Sequence, residues 1–297
     1  MDSGPSEPPG RQRAPQPARP PAPAAPPSTR RFAGRLWLAA RLAAATYLAV
    51  LLVLVWLEDK LIFIPSPYPE GDWQPAGLPV VDAWFVSDDG LRLHGWYLPH
   101  PQPVAQVLLC HGNAGNVTHR AEALRQMHRR VQAAVLVFDY GGYGKSQGTP
   151  NESGVLRDAR AARRWLAQHA HLPETSVVLM GESLGGAVAV HLAAELPSRA
   201  LILQNTFTSL PDVAAWHFPW LPIRWLMRAQ LNALAKIPHC RTPLFQSHGD
   251  RDTIVPYHLG RRLFEAEAEP KQFYTLAGAD HNDPPPPEYY DALCPGS

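Results

Sequence analysis

Hydrophobic residues fall along this chain in three successive patterns. Up to residue 29 there is hardly any: MDSGPSEPPG through PAPAAPPST is Pro, Ala and polar residues, with no aliphatic side chain larger than Ala. Such a stretch cannot bury enough apolar surface to offset its ordering entropy, so residues 1–34 read as a disordered Pro/Ala-rich tail with polyproline II character. Residues 36–57, LWLAARLAAATYLAVLLVLVWL, are then apolar almost without interruption, with Arg41 as the one interior charge. About 20 apolar residues rising 1.5 Å each suffice to cross a hydrocarbon core, which predicts a transmembrane anchor over 35–58. A cleavable signal peptide and a buried core helix are the alternatives; neither a small-residue cleavage site nor one-sided periodicity is visible.

From about residue 60 the pattern becomes that of one globular domain, 59–297. VVDAWFVS and LRLHGWYLP are alternating runs joined by Asp88, Asp89 and Gly90, which predicts an antiparallel hairpin. After it, short continuous apolar runs (AQVLLC, AVLVFDY, SVVLMG, ALILQN, TPLFQSH, KQFYTLA) alternate with helical stretches (AEALRQMHRR, GVLRDARAARRWLAQHA, AVAVHLAAEL). Continuous β-branched runs suit strands covered on both faces, and the alternation implies right-handed crossovers. The expectation is an α/β fold: a mostly parallel sheet of eight strands flanked by helices, antiparallel at its start.

One insertion breaks this rhythm. The segment 208–240 carries Trp216, Phe218, Trp220, Trp225 and Met227, with Pro211, Pro219 and Pro222 as breakers. A connection this long is usually functional, which points to a short helical lid over a pocket. A helix pair that only packs on the sheet, and a surface facing the membrane, are the other readings.

Charge and cysteine content narrow the function classes. The formal net charge is +1 with both signs interspersed, so no footprint of nucleic-acid binding is present. Cys110, Cys240 and Cys294 are odd in number and widely spaced, which argues against a disulfide framework and a zinc cluster. Arg30, Arg31 and Arg35 precede the apolar span, whereas Glu58, Asp59 and Lys60 follow it. Excess Lys/Arg favours the cytoplasmic side, so the expected topology is single-pass with the N-terminus cytoplasmic and the folded domain extracytoplasmic.

The candidate chemistry sits after the strands. Gly181, Ser183 and Gly185 form GxSxG in MGESLGG, between the apolar run VVLM and a helical stretch. This strand, turn and helix context is that of a nucleophile elbow, where flanking glycines let a strained turn present the serine hydroxyl. A serine needs a base, and the base a carboxylate to fix its tautomer. HGDRDTIVP and GADHND follow the last two strands and supply them: His281 as base and Asp252 as acid, with Asp250 two residues away and inseparable by spacing. LLCHGNAGN opens a Gly-rich loop, where the amide of Asn113, with Ala114 next, is a candidate oxyanion donor alongside that of Leu184. His111 and Gly112 shape that turn; His94, His119 and His128 lack any such context and read as surface groups.

HGNAGN, FDYGGYGKSQGTPNESG, GESLGG, HGDRDTIVP and GADHND, preceded by LIFIPSPYPEGDW and DDGLRLHGWYLP, together resemble the BEM46-like, ABHD13-type branch of the α/β hydrolases from about Leu61 to Asp283. The resemblance implies the α/β-hydrolase fold and a triad of Ser183, Asp252 and His281. The family acid stands in a DxxVP context that Asp252 satisfies and Asp250 does not. An N-terminal membrane anchor is usual in the branch. One departure is visible: the family commonly has YRGYG where this chain has Tyr140, Gly141, Gly142, Tyr143 and Gly144.

These readings imply a serine hydrolase acting on an ester or thioester through an acyl-enzyme, with an acyl or lipid-like small molecule as substrate and no metal or organic cofactor required. A peptidase or amidase on the same three residues and a non-catalytic membrane-tethered scaffold are the rivals.

Overall fold

The computed structural model describes Met1, Gly4 and residues 29–293. Most of the Pro/Ala-rich tail, and Cys294, lie outside the described residues. Residues 1–52 and 53–297 form two separate units. Helix α1 runs Thr29–Ile62, so 29–34, grouped with the tail by composition, are helical. Hydropathy marks the apolar span of a helix and is blind to polar turns that extend it. Residues 33–62 of α1 are long and apolar enough to cross a membrane, about 45 Å at 1.5 Å per residue.

The second unit is built on one sheet. Strand β1 (Ile64–Pro65) is followed by the hairpin β2 (Val81–Val86) and β3 (Arg92–Leu98), then β4 (Gln106–Cys110) and β5 (Ala114–Gly115). Helix α2 (Ala121–Gln126) leads to β6 (Ala134–Phe138), α3 (Glu152–His169), β7 (Val178–Glu182), α4 (Leu184–Glu195) and β8 (Ala200–Gln204). The insertion carries α5 (Leu210–His217), α6 (Ile223–Leu226) and α7 (Ala233–Lys236); β9 (Leu244–Gly249), α8 (Tyr257–Glu265), β10 (Lys271–Leu276) and α9 (Pro287–Ala292) complete the chain. Strand order in the eight-stranded sheet is β10-β9-β8-β7-β4-β6-β3-β2. Only the pairings of β3 with β2 and β6 are antiparallel.

Sequence pattern accounts for each strand's place. In β2 buried Ala83 and Phe85 alternate with exposed residues, as an edge strand demands, whereas all of β6 is buried between layers. One core, with Leu108, Leu136, Leu179 and Leu203, faces α3 and α4. The other, with Leu109, Val137, Met180 and Ile202, faces α2 and α9. These residues are successive positions on the same strands, which is the two-residue period of a sheet covered on both sides.

The parallel register sets the geometry of the site. Cys110 pairs with Gly181, Glu182 with Gln204, Gln204 with Ser247, and Gly249 with Leu276. The carboxyl ends of β4, β7, β8, β9 and β10 therefore share one edge, where open α/β sheets assemble their sites.

The insertion has two parts. Residues Ala229, Leu231, Ala233 and Ile237 are buried in the core beside α4, so this half packs as structure. The part before it, around α5 and α6, leaves Trp216, Phe218, Trp220 and Trp225 exposed. The join between them is held by two carboxylates at four successive amides. Glu58 accepts from Arg228 and Ala229, at 2.8 and 2.7 Å, and Glu152 from Gln230 and Leu231, both at 2.8 Å.

Candidate active site

Ser183 ends β7 and begins α4 at φ +52°, ψ −117°, a left-handed backbone that non-glycine residues rarely adopt. The turn closes so tightly that a Cβ at Gly181 would lie 2.3 Å from the Gly185 carbonyl oxygen, and one at Gly185 would lie 2.0 Å from that of Cys110. Its backbone is pinned from β8: Ser183 N–H donates to Gln204 O (2.8 Å), and Thr206 Oγ1 donates to Ser183 O (2.8 Å).

Loops after β9 and β10 bring their side chains to this turn. His281 Nε2 stands 3.1 Å from Ser183 Oγ, and His281 Nδ1 stands 2.7 Å from Asp252 Oδ2. Ser183 and His281 are partly exposed while Asp252 is buried. Asp250 is elsewhere: it is exposed and its Oδ1 accepts the Gly278 amide at 2.7 Å. The Ser183, His281 and Asp252 side chains therefore touch in series, and Asp250 does not join them.

The environment of Asp252 favours its ionised form. Burial alone would raise its pKa, but hydrogen bonds from His248 and His281, the His281 charge and the Val255 amide outweigh burial and hold the carboxyl well below the usual carboxylate range. Its Oδ1 takes the Ile254 and Val255 amides at 2.9 and 2.7 Å, while His248 Nε2 lies 3.3 Å from Oδ2. With every lone pair engaged, the carboxylate has one orientation, and so does the His281 ring bonded to it.

The loop after β4 borders the same turn. A Cβ at Gly112 would sit 3.6 Å from Ser183 Cβ, which shows how closely the loop approaches. Asn113 commits its carbonyl to Ile64 N–H (3.0 Å) and Tyr143 OH (2.7 Å), and its side-chain amide to Ile62 O (3.0 Å). What it can offer to chemistry is its backbone N–H. Leu184 opens α4, so its amide is one of the first-turn donors that no carbonyl within the helix accepts. Ala114 follows in β5, in register with Ile64 of β1. His111 beneath the loop is fully buried, with its pKa pushed down to about 3, by burial first and the Arg120 charge second, so it stays neutral while Nδ1 bonds the Gly112 carbonyl.

Several residues that sequence reasoning passed over complete the site. Asn205, after β8 and also left-handed at φ +49°, donates from Nδ2 to His281 O and accepts the Gly249 amide on Oδ1. Arg120 Nε lies 2.8 Å from Glu182 Oε2, beside the nucleophile turn. His94 is a correction: expected at the surface, it is fully buried, with Nε2 3.0 Å from Asp82 Oδ1 and Nδ1 3.5 Å from Asp139 Oδ2. β3 is covered on both faces, with Leu93, Trp96 and Leu98 buried along with His94, so the strand leaves that imidazole no exposed side. Gly141, where the family commonly carries Arg, donates its amide to Asp158 Oδ2 at 2.8 Å.

Residues 106–236 match the family model described as alpha/beta hydrolase fold. An uncharacterized protein, Rv2307c, of Mycobacterium tuberculosis is 41% identical over 239 residues, covering 78% of this chain and 84% of that one. Protein bem46 of Schizosaccharomyces pombe is 30% identical over 262 residues, covering 82% and 86%. Among solved structures, the Pyrococcus furiosus esterase Pf2001 superposes with a TM-score of 0.60 at 22% identity, over 74% of this chain and 90% of that one.

Proposed function

The chain belongs to the α/β hydrolases, in their BEM46-like branch, and from that premise we propose that it is a serine hydrolase cleaving an ester or thioester through Ser183, His281 and Asp252. The observation that carries this reading is the unbroken series Ser183 Oγ, His281 Nε2, His281 Nδ1, Asp252 Oδ2, at 3.1 and 2.7 Å, hung from a strained turn. His281 takes the hydroxyl proton as Ser183 Oγ attacks the acyl carbonyl, and Asp252 stabilises the imidazolium. The amides of Asn113 and Leu184 hold the oxyanion, each such donor contributing about 3–4 kcal/mol to the transition state. Collapse expels the alcohol or thiol with the proton from His281. Water, deprotonated by the same imidazole, then cleaves the acyl-enzyme.

Residues 35–58 of α1 anchor this domain to a membrane, with the N-terminus cytoplasmic, and the exposed half of the segment 208–240, around α5 and α6, covers the site as a lid. An apolar acyl substrate suits both. Protease digestion of sealed vesicles checks the orientation: the C-terminal domain is protected from the cytoplasmic face, and cleavage from that face alone overturns the topology.

Labelling by a fluorophosphonate probe tests the chemistry. The folded wild type should react and Ser183→Ala should not. Folded wild type that stays unlabelled sinks the enzyme reading, and a reactive Ser183→Ala moves the nucleophile elsewhere. Turnover of p-nitrophenyl esters over peptide anilides separates an esterase from a peptidase.

A further inference from the structure

The exposed part of the insertion carries several large apolar side chains at its surface. Trp225 is 91% exposed, Trp216 60% and Phe218 48%, all within ten residues. Beside Trp225 lies a shallow groove lined by Ala215, Pro219, Leu221 and Ile223, with Arg224 at it as well. Single exposed hydrophobic residues are ordinary, but a cluster of aromatic rings with no protein over it marks an interaction surface.

The edge of this patch is tied to the last turns of α1. Glu58, 6% exposed, accepts the amides of Arg228 and Ala229 and pairs with Arg228 Nε at 3.0 Å; Arg228 Nη2 donates to Val55 O at 3.2 Å. Consecutive Cα atoms are 3.8 Å apart, so the Trp225 Cα lies within about 11 Å of that of Arg228. The headgroup layer beyond the hydrocarbon core is roughly 5–8 Å thick. If 36–57 fill the core, Trp225 is within reach of that layer. Trp56, one residue after Val55, is itself 79% exposed. Trp concentrates at this depth because its ring is apolar and its N–H needs a polar partner.

Resting on the anchor reading above, we propose that the face bearing Trp216, Phe218 and Trp225 docks on the lipid headgroup layer of the bilayer that α1 crosses. The patch then has a second role, because its far end lies against the loop of Asp252. His217 Nε2 is 2.8 Å from Ile254 O, and the Trp216 ring packs on that of His258 at 5.0 Å. Docking places the lid between lipid and the acid loop, so the site meets its substrate at the interface rather than in bulk water.

Site-directed fluorescence on the full-length protein in phosphatidylcholine vesicles tests this. Cys110 and Cys240 are buried, with their thiols pushed up to about 12 by burial, and stay unlabelled. With Cys294→Ser as background, single cysteines are placed by Trp225→Cys, Phe218→Cys, Leu48→Cys and Gln168→Cys and labelled with a small fluorophore. Gln168 is exposed near the end of α3 away from Glu152, about 24 Å along the helix, and serves as the reference. Lipids carrying a nitroxide near the headgroup should quench the labels at 225 and 218 several-fold more than that at 168. Quenching at 225 and 218 no stronger than at 168 overturns the proposal, whatever happens at 48. The label at 48, read with lipids carrying the nitroxide deep in the acyl chain because 48 lies about 13 Å or more inside either end of the span, reports separately on the anchor: quenched there, α1 is in the bilayer and only the docking fails; unquenched there, the anchor reading fails too. Far-ultraviolet circular dichroism and a thermal midpoint close to those of wild type confirm that each variant is folded.

Discussion

Asn205 braces His281: its Nδ2 donates to the His281 carbonyl at 2.8 Å while its Oδ1 accepts the Gly249 amide at 3.0 Å. One side chain thereby locks the loop after β10 to the end of β9, the strand that leads to Asp252. Asn205→Ala leaves the buried Gly249 amide unpaired, which costs about 1–3 kcal/mol of stability. The denaturation midpoint should fall accordingly, and ester turnover should drop while the folded variant still binds the fluorophosphonate slowly. Asn205→Asp keeps the acceptor and loses the donor, so its turnover should lie between the two.

The two aspartates of HGDRDTIVP differ by partner. Asp252→Asn removes the carboxylate that holds the His281 tautomer, and kcat should fall by about 10⁴. Asp250→Asn disturbs only a surface turn to Gly278 and should leave kcat within a few-fold of wild type. Equal losses, measured on a p-nitrophenyl ester, would contradict the geometry.

Gly185 has no room for a side chain. A Cβ 2.0 Å from the Cys110 carbonyl oxygen must push β4 or α4 aside. Gly185→Ala should destabilise by at least about 4 kcal/mol, at the extreme of single substitutions, and yield little soluble protein. A stable, reactive Gly185→Ala would show that the turn is looser than its contacts imply.

Asp158 makes the folded state pH-sensitive. It is 2% exposed, and burial first, then the Asp89 charge, raise its carboxyl to about 6 despite the Gly141 hydrogen bond. An acid raised in the folded state is protonated in both states at low pH and contributes nothing there. As pH climbs from about 4 to 6 the unfolded chain ionises first, so stability falls, by on the order of 2–3 kcal/mol in all. Asp158→Asn should match wild type near pH 4 and exceed it at pH 8, with the gain in Tm opening across that window. A constant difference over the range would exclude this titration.

How legible the molecule was varied with the range of the interaction involved. Each strand of the large sheet could be read from its apolar run, and the turn at Ser183 from Gly181 and Gly185, because both are local consequences of covalent geometry and pattern. The brace from Asn205 could not be read so. Asparagine after a strand is common, and nothing local says that its amide will meet a loop 76 residues further on. His94 misled for a related reason: its burial depends on Asp82 and Asp139, which only strand pairing brings beside it.

The sequence by itself determined the order of the eight strands and of α2, α3 and α4 among them, the apolar span of α1, and which hydroxyl, imidazole and carboxylates stand at the ends of strands. These follow from periodicities and turns a few residues long. Tertiary structure alone decided that half of the insertion is core and half exposed and that Glu58 of α1 grips the join between them; it also set Asp252 rather than Asp250 against His281, a choice that spacing left open and only the family's DxxVP context implied. Those outcomes rest on contacts between segments far apart in the chain, where which group comes within 3 Å of which is set by packing of the whole sheet.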